Sequence, residues 1–134
     1  MRGGVAGPSR LRGQEEMMRC FRVGVDSRAE AIDIQNDLNA FYREIGTDVI
    51  DITRRVIGGI TFHVVVDDIG LLREHPIVTM VGHTLKPSLV GTLLIFGLDG
   101  PEFRSLTDDE VNVLYGSTFA IVGQERDVIM CDYF

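Results

Sequence analysis

The sequence has almost no lysine and no surplus of basic residues. Lys86 is the single lysine, and the formal net charge at pH 7 is −7 over 134 residues. Proteins that bind nucleic acid usually carry a basic patch that offsets the phosphate charge, so direct binding of DNA or RNA is disfavoured. An acidic mimic of nucleic acid stays open as an alternative, although acidity of this size mainly keeps a protein soluble.

Long apolar runs are also lacking. No run approaches the roughly 18 residues that a membrane-spanning helix needs, and the N-terminal segment has no apolar region of the secretory type. We therefore expect a cytoplasmic protein that does not engage a membrane. Its length is that of one domain, which we place at residues 18–134. Residues 1–17 are expected to be a disordered tail or a mis-assigned start ahead of Met17 or Met18.

Only two cysteines occur, Cys20 and Cys131, near opposite ends of the predicted domain. In a reducing compartment such residues are more often buried thiols than a disulfide. No Cys-x-x-Cys or His-x-His spacing accompanies them. The sequence therefore predicts no metal site, and it gives no sign of a cofactor.

Known catalytic motifs are missing as well. The sequence has no Walker-type or dinucleotide-binding glycine loop, no nucleophile elbow and no zinc-protease helix motif. No catalytic residue is predicted, and a non-enzymatic function is favoured.

One chemical alternative stays open, a small-molecule or metal-binding site in the central segment that could also support catalysis. Its candidates are the three histidines and two adjacent aspartates: His63, Asp67, Asp68, His75 and His83. No two of the histidines have i,i+2 or i,i+4 spacing, and the aspartates are equally typical of a turn.

Four residues are candidates for contact with a protein partner. Arg54 and Arg55 lie in a predicted strand, so one of them must face away from the core. Such a pair suits an acidic partner, or an edge strand that is protected from aggregation. Tyr133 and Phe134 end the chain and either pack on the core or dock a partner. A homodimer is left open.

Capping residues and apolar spacing predict a long helix over residues 27–45. Ser27 and Glu30 form a capping-box pattern, and apolar residues then recur at helical spacing as far as Ile45. Gly46 is typical of the position just after a helix.

A second capping box, Thr107 with Glu110, predicts a short helix over residues 108–115. The continuously apolar run at 89–96 predicts a central strand covered on both faces. The other predicted strands have alternating patterns or turn residues at their ends: 19–25, 49–57 and 60–66 around Gly58-Gly59, 77–81, and a final hairpin of 118–122 with 128–133. The expected fold is a single α+β domain with a mixed or antiparallel sheet of five to seven strands, one long helix and one short helix.

Four motifs follow one another in the middle of the chain: Asp67-Asp68-Ile69-Gly70-Leu71-Leu72, Pro76-Ile77-Val78, the run from Leu89 to Gly97, and Ser105-Leu106-Thr107-Asp108-Asp109-Glu110. In this order they resemble the domain-of-unknown-function family 3846. That resemblance implies a small accessory protein of a phage, plasmid or conjugative element in a bacterial cytoplasm. It implies no catalytic residue.

These observations favour a non-enzymatic accessory protein of a bacterial mobile element that acts by binding another protein. Inhibition of a host defence system is a role that such a setting suggests. The histidine and aspartate site and the acidic mimic are the alternatives.

Overall fold

The computed structural model describes residues 17–121 and 126–132. Those residues form ten strands, two α-helices and one 3₁₀ turn at Gly70–Leu72. The strands are β1 (Met17–Val23), β2 (Ala29–Gln35), β3 (Ile50–Ile57), β4 (Ile60–Asp67), β5 (Val78–Val81), β6 (Pro87–Val90), β7 (Leu93–Asp99), β8 (Glu102–Arg104), β9 (Thr118–Ala120) and β10 (Asp127–Met130). The helices are α1 (Leu38–Ile45) and α2 (Asp108–Gly116).

Two sheets organise the fold, where one was expected. The larger has six strands in the order β2-β1-β7-β4-β3, with β8 added to β7, and all of its pairs are antiparallel. The smaller has four strands in the order β6-β5-β10-β9, and β5 and β10 are parallel. The predicted fold class, which combines helices and strands, is confirmed. The prediction of a single sheet is wrong, because the strands form two sheets.

The predicted long helix over residues 27–45 is wrong in its first half, which is the strand β2. Ser27 has a φ of +72° and lies in the turn between β1 and β2, so it does not cap a helix. Ala29 and Ala31 pack on one side of the sheet, and Ile32 and Ile34 pack on the other. Side chains that alternate between two faces in this way are typical of a strand.

The helix α1 is only the second half of that segment. Asp37 begins it, since its carboxylate accepts a hydrogen bond from the Ala40 N–H at 2.8 Å. Gly46 ends it in the left-handed conformation at a φ of +90°, as predicted. With 8 residues in α1 and 9 in α2, the helices do not divide into one long and one short.

The predicted central strand over residues 89–96 is also corrected, because it breaks at Gly91. That glycine has a φ of +82°, and the chain passes there from β6 in the smaller sheet to β7 in the larger. Only β7 is central: it pairs with β1, β4 and β8. Glycine makes such a change of direction inexpensive because it has no Cβ.

Three local predictions are confirmed. Gly58 and Gly59, both with positive φ, close the hairpin of β3 and β4. Thr107 and Glu110 form both bonds of the capping box at the start of α2. The strands β9 and β10 pair antiparallel as the predicted final hairpin.

The larger sheet has a core on each face. One cluster, which includes Phe62, Val64 and Met80, fills the space between the two sheets and under α2. The other, which includes Phe41 of α1 and Phe96 of β7, lies under α1. Cys20 and Cys131 are buried thiols, as expected, one in each cluster.

Candidate functional site

The most exposed large apolar side chains of the described residues lie side by side just after β4. Leu71 is 76% exposed and Leu72 is 83% exposed. They belong to a 3₁₀ turn, and we refer to residues 70–73 as the leucine turn. Single exposed apolar residues are common on protein surfaces. Leu71 and Leu72 are adjacent, so together they form a small apolar patch.

The sequence Asp67-Asp68-Ile69-Gly70 builds this turn from local hydrogen bonds. The Asp67 carboxylate accepts from the Ile69 N–H at 3.2 Å, which is the usual way in which aspartate begins a turn. The Leu72 N–H then donates to the Ile69 carbonyl at 2.9 Å, and the Arg73 N–H donates to the Gly70 carbonyl at 3.2 Å. In this turn the side chains of Leu71 and Leu72 extend into solvent.

An ion pair closes the leucine turn. The Arg73 guanidinium donates to both Asp67 carboxylate oxygens, at 2.8 Å and 3.3 Å, and to the Thr47 hydroxyl at 2.9 Å. The hydrogen bonds that Arg73 donates to Asp67 raise the pKa of Arg73 above its ordinary value, and the negative charges of Asp67 and Asp48 act in the same direction. Asp67 is therefore committed to holding the turn.

The leucine turn also packs closely against β6. A Cβ on Gly70 would lie 2.8 Å from Cγ2 of Val90 and 3.4 Å from its carbonyl oxygen. The backbone of the turn thus contacts β6 directly, and only glycine fits at this place. The contact fixes the backbone of Gly70 against β6.

A small cleft of about 230 Å³ opens beside the leucine turn. Its lining comes from the turn and its flanks, from the β6–β7 crossing, from the loop after β1 and from the last residue of α1: Val25, Ile45, Asp67, Gly70, Arg73, His75, Pro76, Ile77, Gly91 and Thr92. Apolar atoms make up most of that lining. The leucines lie between two of the lining residues, so the apolar surface of the turn and the cleft are neighbours.

Negative charge surrounds this apolar surface. Asp68 and Glu74 flank the leucine turn in the chain, and both are exposed. Asp48 is exposed as well and acts electrostatically on Arg73. The Arg73 charge is already balanced by Asp67. A partner would therefore meet an apolar centre with acidic neighbours.

The predicted histidine and aspartate site is only partly assembled. Asp67 and His75 line the same cleft, whereas His63, Asp68 and His83 are not part of its lining. Asp68 is exposed beside the turn, and His83 is exposed in the loop between β5 and β6. Within residues 17–121 and 126–132, no three His, Cys, Asp or Glu side chains are grouped so that they could hold a metal ion.

His63 is buried in the cluster under α1, at 4% exposure. Its Nε2 donates to the Gly100 carbonyl at 3.1 Å, and its ring centroid lies 4.9 Å from that of Phe103. Nδ1 is buried and has no hydrogen-bond partner among the described residues. His63 therefore sits among aromatic side chains on the opposite side of β4 from the core between the sheets.

Two of the four residues predicted to contact a protein partner, Arg54 and Arg55, lie in β3 at the edge of the larger sheet. Arg54 is exposed and donates to the Gly100 carbonyl at 3.3 Å. Arg55 donates to the hydroxyls of Ser88 at 3.2 Å and Thr53 at 2.7 Å. Tyr133 and Phe134 are outside the residues that the structure describes.

Leu71 and Leu72 are not among the predicted site residues, because a leucine side chain has no catalytic or metal-binding group. A signal was nevertheless present in the sequence. The two leucines stand between a turn-forming Asp67-Asp68-Ile69-Gly70 and Pro76, and that interval is too short for a helix that could bury them.

No curated protein and no solved structure matches the chain. No helix among the described residues is long and apolar enough to cross a membrane. A family model described as a domain of unknown function (DUF3846) matches residues 18–120, a range that holds both helices, the leucine turn and its cleft. The chain belongs to this family.

Proposed function

We propose that the protein acts by binding another protein through the leucine turn. The observation that carries this proposal is the exposure of two adjacent leucines on a turn that is fixed by an ion pair and by the Gly70–Val90 contact. Exposed apolar surface of this kind marks interaction sites on soluble proteins.

Burial of the two leucines would contribute to the free energy of such a contact. Burying one leucine side chain contributes roughly 1.5–3 kcal/mol, so the two together supply several kcal/mol. Because the turn is already ordered, little conformational entropy is lost on binding, and more of that free energy appears as affinity. Asp48, Asp68 and Glu74 favour a partner with basic residues around its apolar contact.

The biological setting in this proposal follows from the family resemblance. It is that of a cytoplasmic accessory protein of a bacterial phage, plasmid or conjugative element. Within that setting, binding and inhibiting a component of a host defence system is the role that we propose. Such a role requires surface contact and no catalytic group.

Comparative affinity capture tests the binding surface. We would capture host proteins with the wild-type chain, with Leu71→Ser/Leu72→Ser, and with Leu38→Ser/Leu85→Ser as a matched control. Leu38 and Leu85 are 52% and 53% exposed and lie outside the turn. The proposal expects a partner that wild type and control both retain and that the turn variant loses. Equal recovery by all three would contradict it.

A small polar ligand in the cleft is the second candidate. The observation in its favour is that Asp67, Arg73 and His75 all line the cleft. Against it, Asp67 and Arg73 already satisfy each other, and pockets for drug-sized ligands are usually about 300–1,000 Å³. Native mass spectrometry of the purified protein separates the two candidates, since only a ligand site would retain a bound small molecule.

A further inference from the structure

The strand β3 is an edge of the larger sheet with much of one side open. Within residues 17–121 and 126–132, its strand pairing is with β4 alone. At the opposite edge of the same sheet, β2 is capped by α2, since the Ala31 N–H donates to the Tyr115 hydroxyl at 3.1 Å. An open edge presents unpaired backbone groups to a further strand.

Two hydrogen bonds establish which backbone groups of β3 point outward. The Val49 carbonyl accepts from the Asp68 N–H at 2.8 Å, on the side of β4. The Val56 carbonyl accepts from the Asp132 N–H at 2.6 Å, on the other side. Backbone groups alternate in direction along a strand, so the N–H and C=O groups of the even-numbered residues in 50–56 point away from β4.

Near the middle of this edge, Ile52 and Arg54 are exposed. Ile52 is 48% exposed. Neither residue makes a backbone hydrogen bond on this side to another described residue. The Arg54 carbonyl accepts one bond, from Nη1 of Arg55 at 2.9 Å, and a carbonyl oxygen has a second lone pair for another donor.

We propose that a second copy of the chain adds its own β3 to this edge, antiparallel, with a two-fold axis at Thr53. Ile52 of each copy then lies opposite Arg54 of the other, and these two pairs exchange four backbone hydrogen bonds. The result is a continuous sheet across two molecules. The proposal uses no part of the leucine turn.

Charge selects this register. With the axis at Thr53, Asp51 of each copy faces Arg55 of the other in a pair without backbone hydrogen bonds, where opposed side chains are closest. Asp51 is exposed and has no ion pair among the described residues. Arg55 keeps its bonds to Thr53 and Ser88 through Nη1 and Nε, and its Nη2 is left to meet the carboxylate.

The neighbouring registers are less favourable. Registers that pair odd-numbered residues of one copy with even-numbered residues of the other are excluded. In such a register the apolar face of one copy would continue as the polar face of the other. An axis at Ile52 places Asp51 opposite Thr53 and forms no ion pair. An axis at Arg54 opposes two like charges and sets Ile52 of the other copy against Val56, whose carbonyl Asp132 already occupies. With the axis at Thr53, only Ile50 of the other copy, at the start of β3, meets that position, so the paired segment is limited to residues 51–55.

The oligomeric state in solution tests the proposal. Sedimentation equilibrium over a wide range of protein concentration should show wild-type mass rising from one chain toward two. Ile52→Pro removes one outward N–H without touching the β3–β4 hydrogen bonds, so we expect it to stay monomeric. Ile52→Val keeps the N–H and is the matched control, which should dimerise as wild type does. A wild type that is monomeric throughout would overturn the proposal.

Charge exchange gives a second test that does not depend on proline. Asp51→Arg should raise the dimer dissociation constant about tenfold, because two symmetry-related ion pairs become repulsive contacts. Adding Arg55→Asp should return the constant toward the wild-type value. The thermal unfolding of each variant shows whether the chain has folded. A dimer that persists unchanged in Ile52→Pro and Asp51→Arg would place the interface elsewhere and refute the β3 pairing.

Discussion

Arg73 and Asp67 close the leucine turn with two hydrogen bonds between guanidinium and carboxylate, at 2.8 Å and 3.3 Å. We predict that Arg73→Met loosens the turn and barely changes global stability, since an exposed ion pair adds little to the folded state. Amide hydrogen exchange at Leu72 and Arg73 should become faster. Arg43→Met, on the exposed face of α1, is the control and should leave these amides unaffected. Unchanged exchange in Arg73→Met would mean that the ion pair does not order the turn.

The ion pair between Arg104 and Glu110 should make the stability of the protein depend on pH. The two guanidinium contacts, at 2.8 Å and 2.7 Å, lower the pKa of Glu110 from its ordinary 4.5 to about 2, and the Thr107 N–H helps. The folded state therefore binds this proton less readily than the unfolded chain. The stabilisation is complete above about pH 4.5 and is lost as the pH falls toward 2.

This loss should amount to about 2 kcal/mol of unfolding free energy, after allowance for the partial exposure of Arg104. Urea unfolding at a series of pH values measures it. Glu110→Gln is the matched control: it keeps the capping side chain in a neutral form, so it should be less stable at neutral pH and should lack this part of the acid dependence. Parallel pH curves for the two proteins would refute the assignment.

We predict that substitution of Gly91, where the chain crosses from one sheet to the other, lowers the stability of the fold. Its φ is +82°, its N–H donates to the Ile77 carbonyl at 2.7 Å, and its carbonyl accepts from the Thr79 hydroxyl at 2.6 Å. Gly91→Ala should cost about 1–2 kcal/mol because a Cβ is disfavoured in this conformation. Gly116→Ala, at the end of α2 where a Cβ meets nothing within 4 Å, should be neutral or slightly stabilising. Equal melting temperatures for the two variants would contradict the prediction.

Cys20 is predicted to be chemically inert in the folded protein. Burial raises its pKa to about 12, and the nearby charges of Glu44 and Asp33 add to this effect. Because the thiolate is the reactive form, alkylation at pH 8 should require unfolding. In Cys131→Ala, Cys20 is the only thiol, and its labelling rate should follow global unfolding as urea is added. Rapid labelling in native buffer would show that the site is open to solvent.

Local turn and cap chemistry predicted the structure well. Gly58-Gly59, Gly46 and the Thr107–Glu110 box each have one good conformational solution, and each adopts it. Ser27 with Glu30 failed for a physical reason. Apolar residues of β2 and α1 happen to continue one helical spacing, and pairing with β1 outweighed that local preference.

The break at Gly91 and the second sheet could not be read from the chain. A continuously apolar run fits one buried strand or two strands in different sheets equally well, and only the long-range pairing of β5 with β10 decides. The same holds for the candidate site. His63 was a candidate because histidine can bind metals and transfer protons. Its burial beside Phe103 depends on where β8 lies, which its local sequence does not indicate. For Leu71 and Leu72 the sequence indicates a turn too short to bury them, but the extent of their exposure is seen only in the fold.

The central claim is that Leu71 and Leu72 form the contact with a protein partner. Calorimetric titration of the captured partner into wild type, Leu71→Ser/Leu72→Ser and the control Leu38→Ser/Leu85→Ser tests it most directly. Removing both leucines should raise the dissociation constant about a hundredfold, which corresponds to roughly 3 kcal/mol of lost apolar burial. The control should bind as wild type does. Equal dissociation constants for all three proteins would contradict the account.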